Sequence, residues 1–445
     1  MVENRNPLAP RITLPPSVVG MRMSRRGLLR SSAVGGAALG LPGLLAACGG
    51  DDGGGGGGGG DSVKFGINEA AGSGPAYDRL KAMADAYQKE SGVSVKVNAV
   101  DHNTFQESLN TYLQGSPDDV FTWFAGFRMA QLAENGLITD ISDVWPIDGM
   151  SDAFKEAATA PDGKQYFVPV SYYPWAVFYR KSVFEKNGFA VPESLDDLKA
   201  LMLDMQGKNI VPFAFGDKDG WPAMGTFDIL NMRLNGFDFH MGLMAGDEDW
   251  DSAEVKNVFS TWRDLLPFHQ QDPLGRTWQE AATSMGKGDA GMYLLGTFVT
   301  DAIADVQDDL DFFTFPTLDE SIGNDALDAP IDGFCLAAGG PDQDAGKEML
   351  KWLGTPAAAD AANSNADAPF IAANEGASTD SYTALQKKSA EVVGAAANIA
   401  QFLDRDTNAD FASTVVIPSL QDFLKNPDDI DGVTSSLQQQ KESIF

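Results

Sequence analysis

The chain has 445 residues, 63 of them acidic against 32 basic, and a formal charge of −31 at neutral pH. A folded body this acidic repels polyanions, which excludes nucleic acid and anionic membrane surfaces as its partners. Two cysteines in the whole chain also exclude a disulfide-stapled scaffold, so stability has to come from packing, and the length suffices for two domains with real cores.

Ser24 to Arg30 reads Ser-Arg-Arg-Gly-Leu-Leu-Arg, which resembles a twin-arginine export signal, and the weakly apolar run from Ala33 ends in Leu45-Ala46-Ala47-Cys48, which resembles a lipobox. That run contains Pro42 and is shorter than the roughly 20 residues a membrane helix needs. Residues 1–47 are therefore expected to be a cleaved signal, with the lipid carried on Cys48. Residues 48–61 include eight consecutive glycines, Gly53 to Gly60, and read as a flexible tether. Lipidation leaves Cys335 as the single thiol, within the apolar run Gly333 to Ala338, where a small buried hydrophobe is expected.

Beyond the tether, Val63, Phe65 and Ile67 alternate with Lys64 and Gly66, which predicts a strand. Tyr77, Leu80, Met83, Ala84 and Tyr87 then recur at helical spacing, with Gly92 as the stop. Val93 to Ala99 alternates again, residues 104–114 form an amphipathic helix through Phe105, Leu109 and Tyr112, and Val120 to Phe124 is a third strand before a helix from Arg128 to Asn135. This order predicts a parallel sheet wound by helices, where ligands bind beyond the carboxyl ends of strands. Those ends are Asn68 and Glu69, Asp101 and His102, and Trp123 to Gly126.

Tyr166 to Arg180 is a long extended run broken at Pro174, suited to crossing between lobes. Ser194 caps a helix from Leu195 to Met205, Asp311 to Pro316 and Phe334 to Ala338 are later strands, and Lys347 to Leu353 and Phe411 to Leu424 are helices. No internal repeat is visible.

From about Val63 to Leu437 the chain resembles the extracellular solute-binding proteins of ABC importers, in particular the sugar-binding group that includes the maltose-binding protein. The resemblance rests on Gly115-Ser116-Pro117-Asp118-Asp119-Val120-Phe121, Ala133-Glu134-Asn135-Gly136-Leu137-Ile138, Tyr166 to Pro169, Phe178-Tyr179-Arg180-Lys181 and Gly286-Lys287-Gly288-Asp289-Ala290-Gly291-Met292, in family order. It implies an α/β fold of the periplasmic-binding-protein type II, with two lobes, each a mostly parallel sheet flanked by helices, and three crossings. Segments 62–171 and 309–358 would build the N-lobe, and 172–308 and 359–445 the C-lobe. The implied partners are a carbohydrate held between the lobes, expected to be an oligosaccharide, and the membrane permease subunits. The receptor is expected to be a monomer on a lipid anchor, with no cofactor, no metal and no catalytic residue.

A sugar presents hydroxyls at its rim and apolar C–H faces, so its site needs aromatic platforms and planar polar groups. The expected platforms are Trp123, Phe124, Trp221 and Phe298, the last falling where the resemblance places a stacking aromatic. The expected polar contacts are Asn68, Glu69, Asp118, Asp217, Asp332, Asp404 and Arg405, with Tyr172 and Tyr173 at the first crossing, where the resemblance would place a carboxylate.

Other chemistries find less support. Ser284-Met285-Gly286-Lys287 has the Ser-x-x-Lys form, but neither Ser-Asp-Asn nor Lys-Thr-Gly occurs to complete that site. His102, His240 and His269 are too scattered to make a zinc site by spacing. Tyr172-Tyr173 could suggest ferric iron, and Asp247, Asp249 and Asp251 start like a calcium loop but lack its glycine and glutamate. A polyamine, peptide or metal receptor, and a glycosidase built on two cleft carboxylates, remain the alternatives.

Overall fold

The computed structural model describes residues 62–324, 326–364 and 369–445; the expected signal, the lipidated Cys48 and the tether lie outside the described residues. Among these residues no helix is long and apolar enough to cross a membrane.

Twelve strands are described: β1 Ser62–Ile67, β2 Ser94–Ala99, β3 Val120–Phe124, β4 Val168–Tyr172, β5 Trp175–Arg180, β6 Val211–Phe213, β7 Ala290–Gly296, β8 Leu310–Phe313, β9 Ala326–Asp328, β10 Ile331–Leu336, β11 Ile371–Ala372 and β12 Asn398–Ala400. The first lobe is built on a six-stranded sheet, β11-β4-β10-β3-β1-β2, and the second on a four-stranded sheet, β6-β7-β5-β8. A parallel ribbon of β9 and β12 completes the set.

Local chemistry explains the early elements. The helix Pro75–Ser91 starts on a proline, which lacks an N–H that the first turn would leave unbonded anyway, and stops at Gly92 in the left-handed conformation. Asp101 caps the helix His102–Gln114 by accepting from the Thr104 N–H, and Ser194 caps Leu195–Gly207 through the Asp197 N–H.

Mostly parallel sheets were expected, but only β1, β2 and β3 pair in parallel in the first sheet, and only β6 with β7 in the second. Crossings cause the difference. Strands β1 to β4 run toward the second lobe, while β10 arrives from that lobe and must run away from it, so it pairs antiparallel with both β3 and β4. For the same reason β5, just past the first crossing, is antiparallel to β7 and β8.

The expected lobe boundaries also shift. Leu310–Phe313, assigned to the N-lobe segment 309–358, pairs with β5 in the second sheet. Conversely, the helix Pro356–Asn363 packs on Pro75–Ser91 and β11 pairs with β4, so part of 359–445 belongs to the first lobe. Ala358, Ala359 and Ala362 give that helix a small-residue face that allows the close approach.

Two glycines shape the neighbourhood of the cleft. The register of β10 shifts between Asp332 and Gly333, where a Cβ on Gly333 would lie 2.1 Å from the Val168 carbonyl oxygen. Such an irregularity re-aims a side chain. The helix Pro222–Asn235 runs buried through the second lobe, and a Cβ on its Gly225 would come within 2.2 Å of the Trp175 ring.

Candidate functional site

The carboxyl ends of β1, β2 and β3 in one lobe face those of β6 and β7 in the other, and the segments that follow them line the interlobe cleft. On the first-lobe wall, Thr122 Oγ1 accepts from the Asn68 N–H at 2.9 Å and donates to Asn68 Oδ1 at 2.9 Å, which fixes the end of β1. His102 stands between the side-chain amides of Asn68, at 3.4 Å, and Gln106, at 2.8 Å. Burial holds its pKa below the ordinary value, which keeps the ring neutral. Burial likewise pushes the Glu69 carboxyl up to about 7, followed by the negative charge of Asp301, while Arg79 pulls the other way.

Next to the crossings the charges organise around Arg405. Its guanidinium donates to Asp332 Oδ1 at 2.9 Å, to the Ile331 carbonyl at 3.3 Å and to the Tyr173 hydroxyl at 3.3 Å. It also lies 4.1 Å from the centre of the Phe124 ring, the arrangement of a cation over an aromatic face. Phe124, expected as a sugar platform, is thus covered by an arginine. Arg128 donates to Gln106 Oε1 at 2.6 Å and to Asp404 Oδ2 at 2.8 Å, so the neighbours Asp404 and Arg405 have separate partners.

The second-lobe wall is aromatic. Phe298 meets Tyr173 at 5.4 Å and 85°, Trp278 at 5.2 Å and 86°, and Trp221 at 5.8 Å and 63°. These edge-to-face contacts lock the rings in place. All four residues keep some accessible surface despite the packing. Below them Asp217 caps the helix Pro222–Asn235 by accepting from the Ala223 N–H at 2.8 Å, while its Oδ2 is buried with no partner among the described residues. Burial pushes this carboxyl up to about 7 against the help of that backbone bond.

Three polar contacts tie the walls together. Arg79 makes a bidentate pair with Asp301 at 3.1 and 3.0 Å, Asn103 Nδ2 donates to Asp219 Oδ1 at 3.0 Å, and Arg128 reaches Asp404. The lobes are therefore closed on each other. Arg79, Asp301, Asn103, Asp219, Arg128 and Trp278 were all missed in the sequence. They sit on helices and turns where a charge or ring reads as ordinary surface, and only the separation of Arg79 from Asp301 by 222 positions, closed by the fold, gives them meaning.

Three expected site residues are placed elsewhere. Trp123 is 2 % exposed and packs among Phe105, Phe121 and Phe124, because all five residues of β3 are buried and its alternation marks no open face. Asp118 accepts from the Tyr112 hydroxyl at 2.8 Å and from Asn98 Nδ2 at 3.0 Å, all within the first lobe. Tyr172 packs on Phe154 at 5.5 Å in the same core, so of the tyrosine pair only Tyr173 joins the cleft.

The rival motifs are engaged as well. Ser284 accepts from Gln270 Nε2 at 2.9 Å and shares with Lys287 an open groove lined by Asp272, Arg276 and Glu280. Asp249 accepts from Gln438 and pairs with Lys441. Cys335 is buried in β10, where desolvation raises its thiol well above the ordinary value and makes it unreactive.

Two lobes joined by crossings, with a polar and an aromatic wall closing on each other, define a clamshell receptor of the type II periplasmic class. The chain belongs to the bacterial extracellular solute-binding protein family, whose profile matches residues 71–360. That membership puts its working location outside the cytoplasm. The solved structure of the bacterial solute receptor AcbH, described with an exclusive preference for β-D-galactopyranose, is similar at 40 % identity and a TM-score of 0.83, covering 87 % of this chain and 100 % of that one. A chitin oligosaccharide binding protein shares the fold at 20 % identity and a TM-score of 0.76, over 86 % of this chain and 98 % of its own. An uncharacterized ABC transporter extracellular-binding protein of Pyrococcus horikoshii is 26 % identical over 298 residues, which is 64 % of this chain and 66 % of that protein. The match thus spans just under two thirds of that relative's length.

Proposed function

We propose that this protein is the solute receptor of an ABC importer, and that it captures one sugar ring, of the hexopyranose class, between its lobes and passes it unaltered to the membrane permease. The observation that carries this reading is the pairing of the Arg405–Asp332 ion pair with the ring cluster of Tyr173, Trp221, Trp278 and Phe298. Planar charged groups bond adjacent hydroxyls in pairs, and aromatic rings cover C–H faces. The 40 % identity to a galactopyranose receptor supports the same ligand class. The Arg79–Asp301 and Asn103–Asp219 contacts bridge the lobes and favour a compact guest over the oligosaccharide expected from the sequence.

Asp301, Asp332 and Asp404 are each committed to an arginine, an arrangement that suits holding a guest more than passing protons to it. The receptor works as a monomer, exported by its twin-arginine signal and held at the membrane through a lipid on Cys48. A thermal-shift and calorimetric screen of the full chain tests the reading, since a ligand that binds only the folded state raises the melting temperature. Galactose or a related hexose is expected to bind. Binding of oligosaccharides alone overturns the single-ring assignment. A silent carbohydrate panel with a hit among peptides or polyamines overturns the sugar itself, and release of new reducing ends overturns the binder.

A further inference from the structure

Behind the cleft, where β9 meets the second lobe, three side chains converge that the proposed sugar site does not use. Asp228 lies in the helix Pro222–Asn235, His240 in Phe237–Ala245, and Asp328 ends β9. All three are 0 % exposed. One nitrogen or oxygen of each lies within 4.8 Å of the others, and His240 Nε2 is 3.9 Å from Asp228 Oδ1. Among the described residues, Asp228 Oδ1, His240 Nε2 and both carboxylate oxygens of Asp328 have no hydrogen-bond partner.

Unpartnered buried polar atoms are costly, and so many in one place call for something between them. We infer that Asp228, His240 and Asp328 hold one divalent transition-metal ion, zinc or manganese, as a structural staple at the crossings. Two carboxylate oxygens and one imidazole nitrogen suit these ions, whereas calcium takes six to eight oxygens. The side-chain amide of Asn231 lies 3.0 Å from His240 Nδ1. Asn231 turns its Nδ2 to the ring while its Oδ1 accepts from Asn235 Nδ2 at 2.8 Å, so an ion on Nε2 requires both amides to turn together. Asn231 Oδ1 then accepts from Nδ1–H and the Nε2 lone pair faces the carboxylates, the usual second-shell arrangement for a ligating histidine. Ligands on a tetrahedral shell of radius about 2.1 Å stand about 3.4 Å apart, so the three side chains close in by about an ångström. Asp228 Oδ2 already accepts from the Leu403 N–H at 2.7 Å, so the ion fastens β9 to a residue that also holds the segment after β12. Of the other charges acting on Asp328, Asp406 favours a cation while Arg233 and Arg405 oppose it.

The test refolds the full chain from guanidinium with zinc chloride, with manganese chloride or with EDTA, desalts it, and measures metal by mass spectrometry and melting by circular dichroism. About one equivalent of one metal is expected, with a melting temperature several degrees above the chelated sample. His240→Gln and Asp328→Asn should each lose most of the metal while keeping the far-ultraviolet spectrum. Folded wild-type protein that retains almost none after refolding with either ion overturns the assignment, because the carboxylates are then neutralised by protons. An equivalent kept in full by both variants also overturns it, since the ion then sits elsewhere. Should both variants fail to fold, the metal content and chelator shift of the wild-type chain decide alone. None of these readouts involves sugar, so the outcome is independent of the sugar assignment.

Discussion

The first lobe meets the cleft with Glu69, His102, Arg128 and Asp332, the second with Trp221, Trp278 and Phe298, and the two walls are held together in different ways. Hydrogen bonds and ion pairs position His102, Arg128 and Asp332 on the first wall, so each of these is directional. Ring-on-ring contacts position the second, which supplies area and shape. The difference separates two tasks of recognition. Fixed donors and acceptors read hydroxyl orientation, and rings reward any sugar face that fits.

Substitutions should expose that division, and the largest effect lies behind the first wall. Trp123→Ala is expected to cost about 3–5 kcal/mol of folding stability, as for other buried tryptophans, with a matching fall in denaturation midpoint. An unchanged midpoint would show Trp123 to be part of the cleft after all. Arg405→Met removes the bonds to Asp332 and Tyr173, and calorimetry should show a loss of roughly 2–4 kcal/mol in sugar affinity together with relaxed discrimination between epimers. Trp221→Ala should cost less, about 1–2 kcal/mol of affinity, weakening all epimers alike and leaving melting nearly unchanged. Equal loss of epimer discrimination in both variants would erase the contrast between the walls.

Smaller effects concern closure. The Arg79–Asp301 pair is 13 % and 15 % exposed, and Arg79→Gln should weaken closure by about 1 kcal/mol, seen as a larger radius of gyration in X-ray scattering at subsaturating sugar. Closure should also respond to pH, through Glu69. A carboxyl raised from 4.5 to about 7 binds its proton more tightly in the closed form, so the proton-linked stability of that form is complete below pH 4.5 and is lost as pH rises through 7. Closure followed by tryptophan fluorescence should therefore weaken from pH 5 to pH 8, and Glu69→Gln should flatten that dependence. A wild-type profile already flat over this range would leave Glu69 no such role.

Much of the first wall was legible because β1 and β2 alternate and their ends can be counted from the sequence. β3 was legible as a strand but not by face, since Val120 to Phe124 are buried on both sides and period two carries no signal there. Asp404 and Arg405 were expected as neighbouring polar contacts, and the fold turns one to Arg128 and the other to Asp332, a separation that adjacency in the chain does not reveal. The lobe boundaries were misjudged for a related reason: β8 and β11 are short strands whose sheet is chosen by the path of the crossings, which no local pattern encodes. In the second wall Trp221 and Phe298 were found through resemblance, while Trp278 looks like any tryptophan opening a helix.

Gly225 carries a consequence for selectivity. The helix behind Trp221 lies so close to the indole of Trp175 that a single added methyl would displace it, and Trp221 is the residue at that helix's start. The depth of the aromatic pocket is thus governed from its rear, by a position that never touches the guest. Tuning which epimer or ring substituent this receptor admits need not begin with the residues that meet the sugar: a wedge at position 225 would push the whole panel forward and narrow the opening.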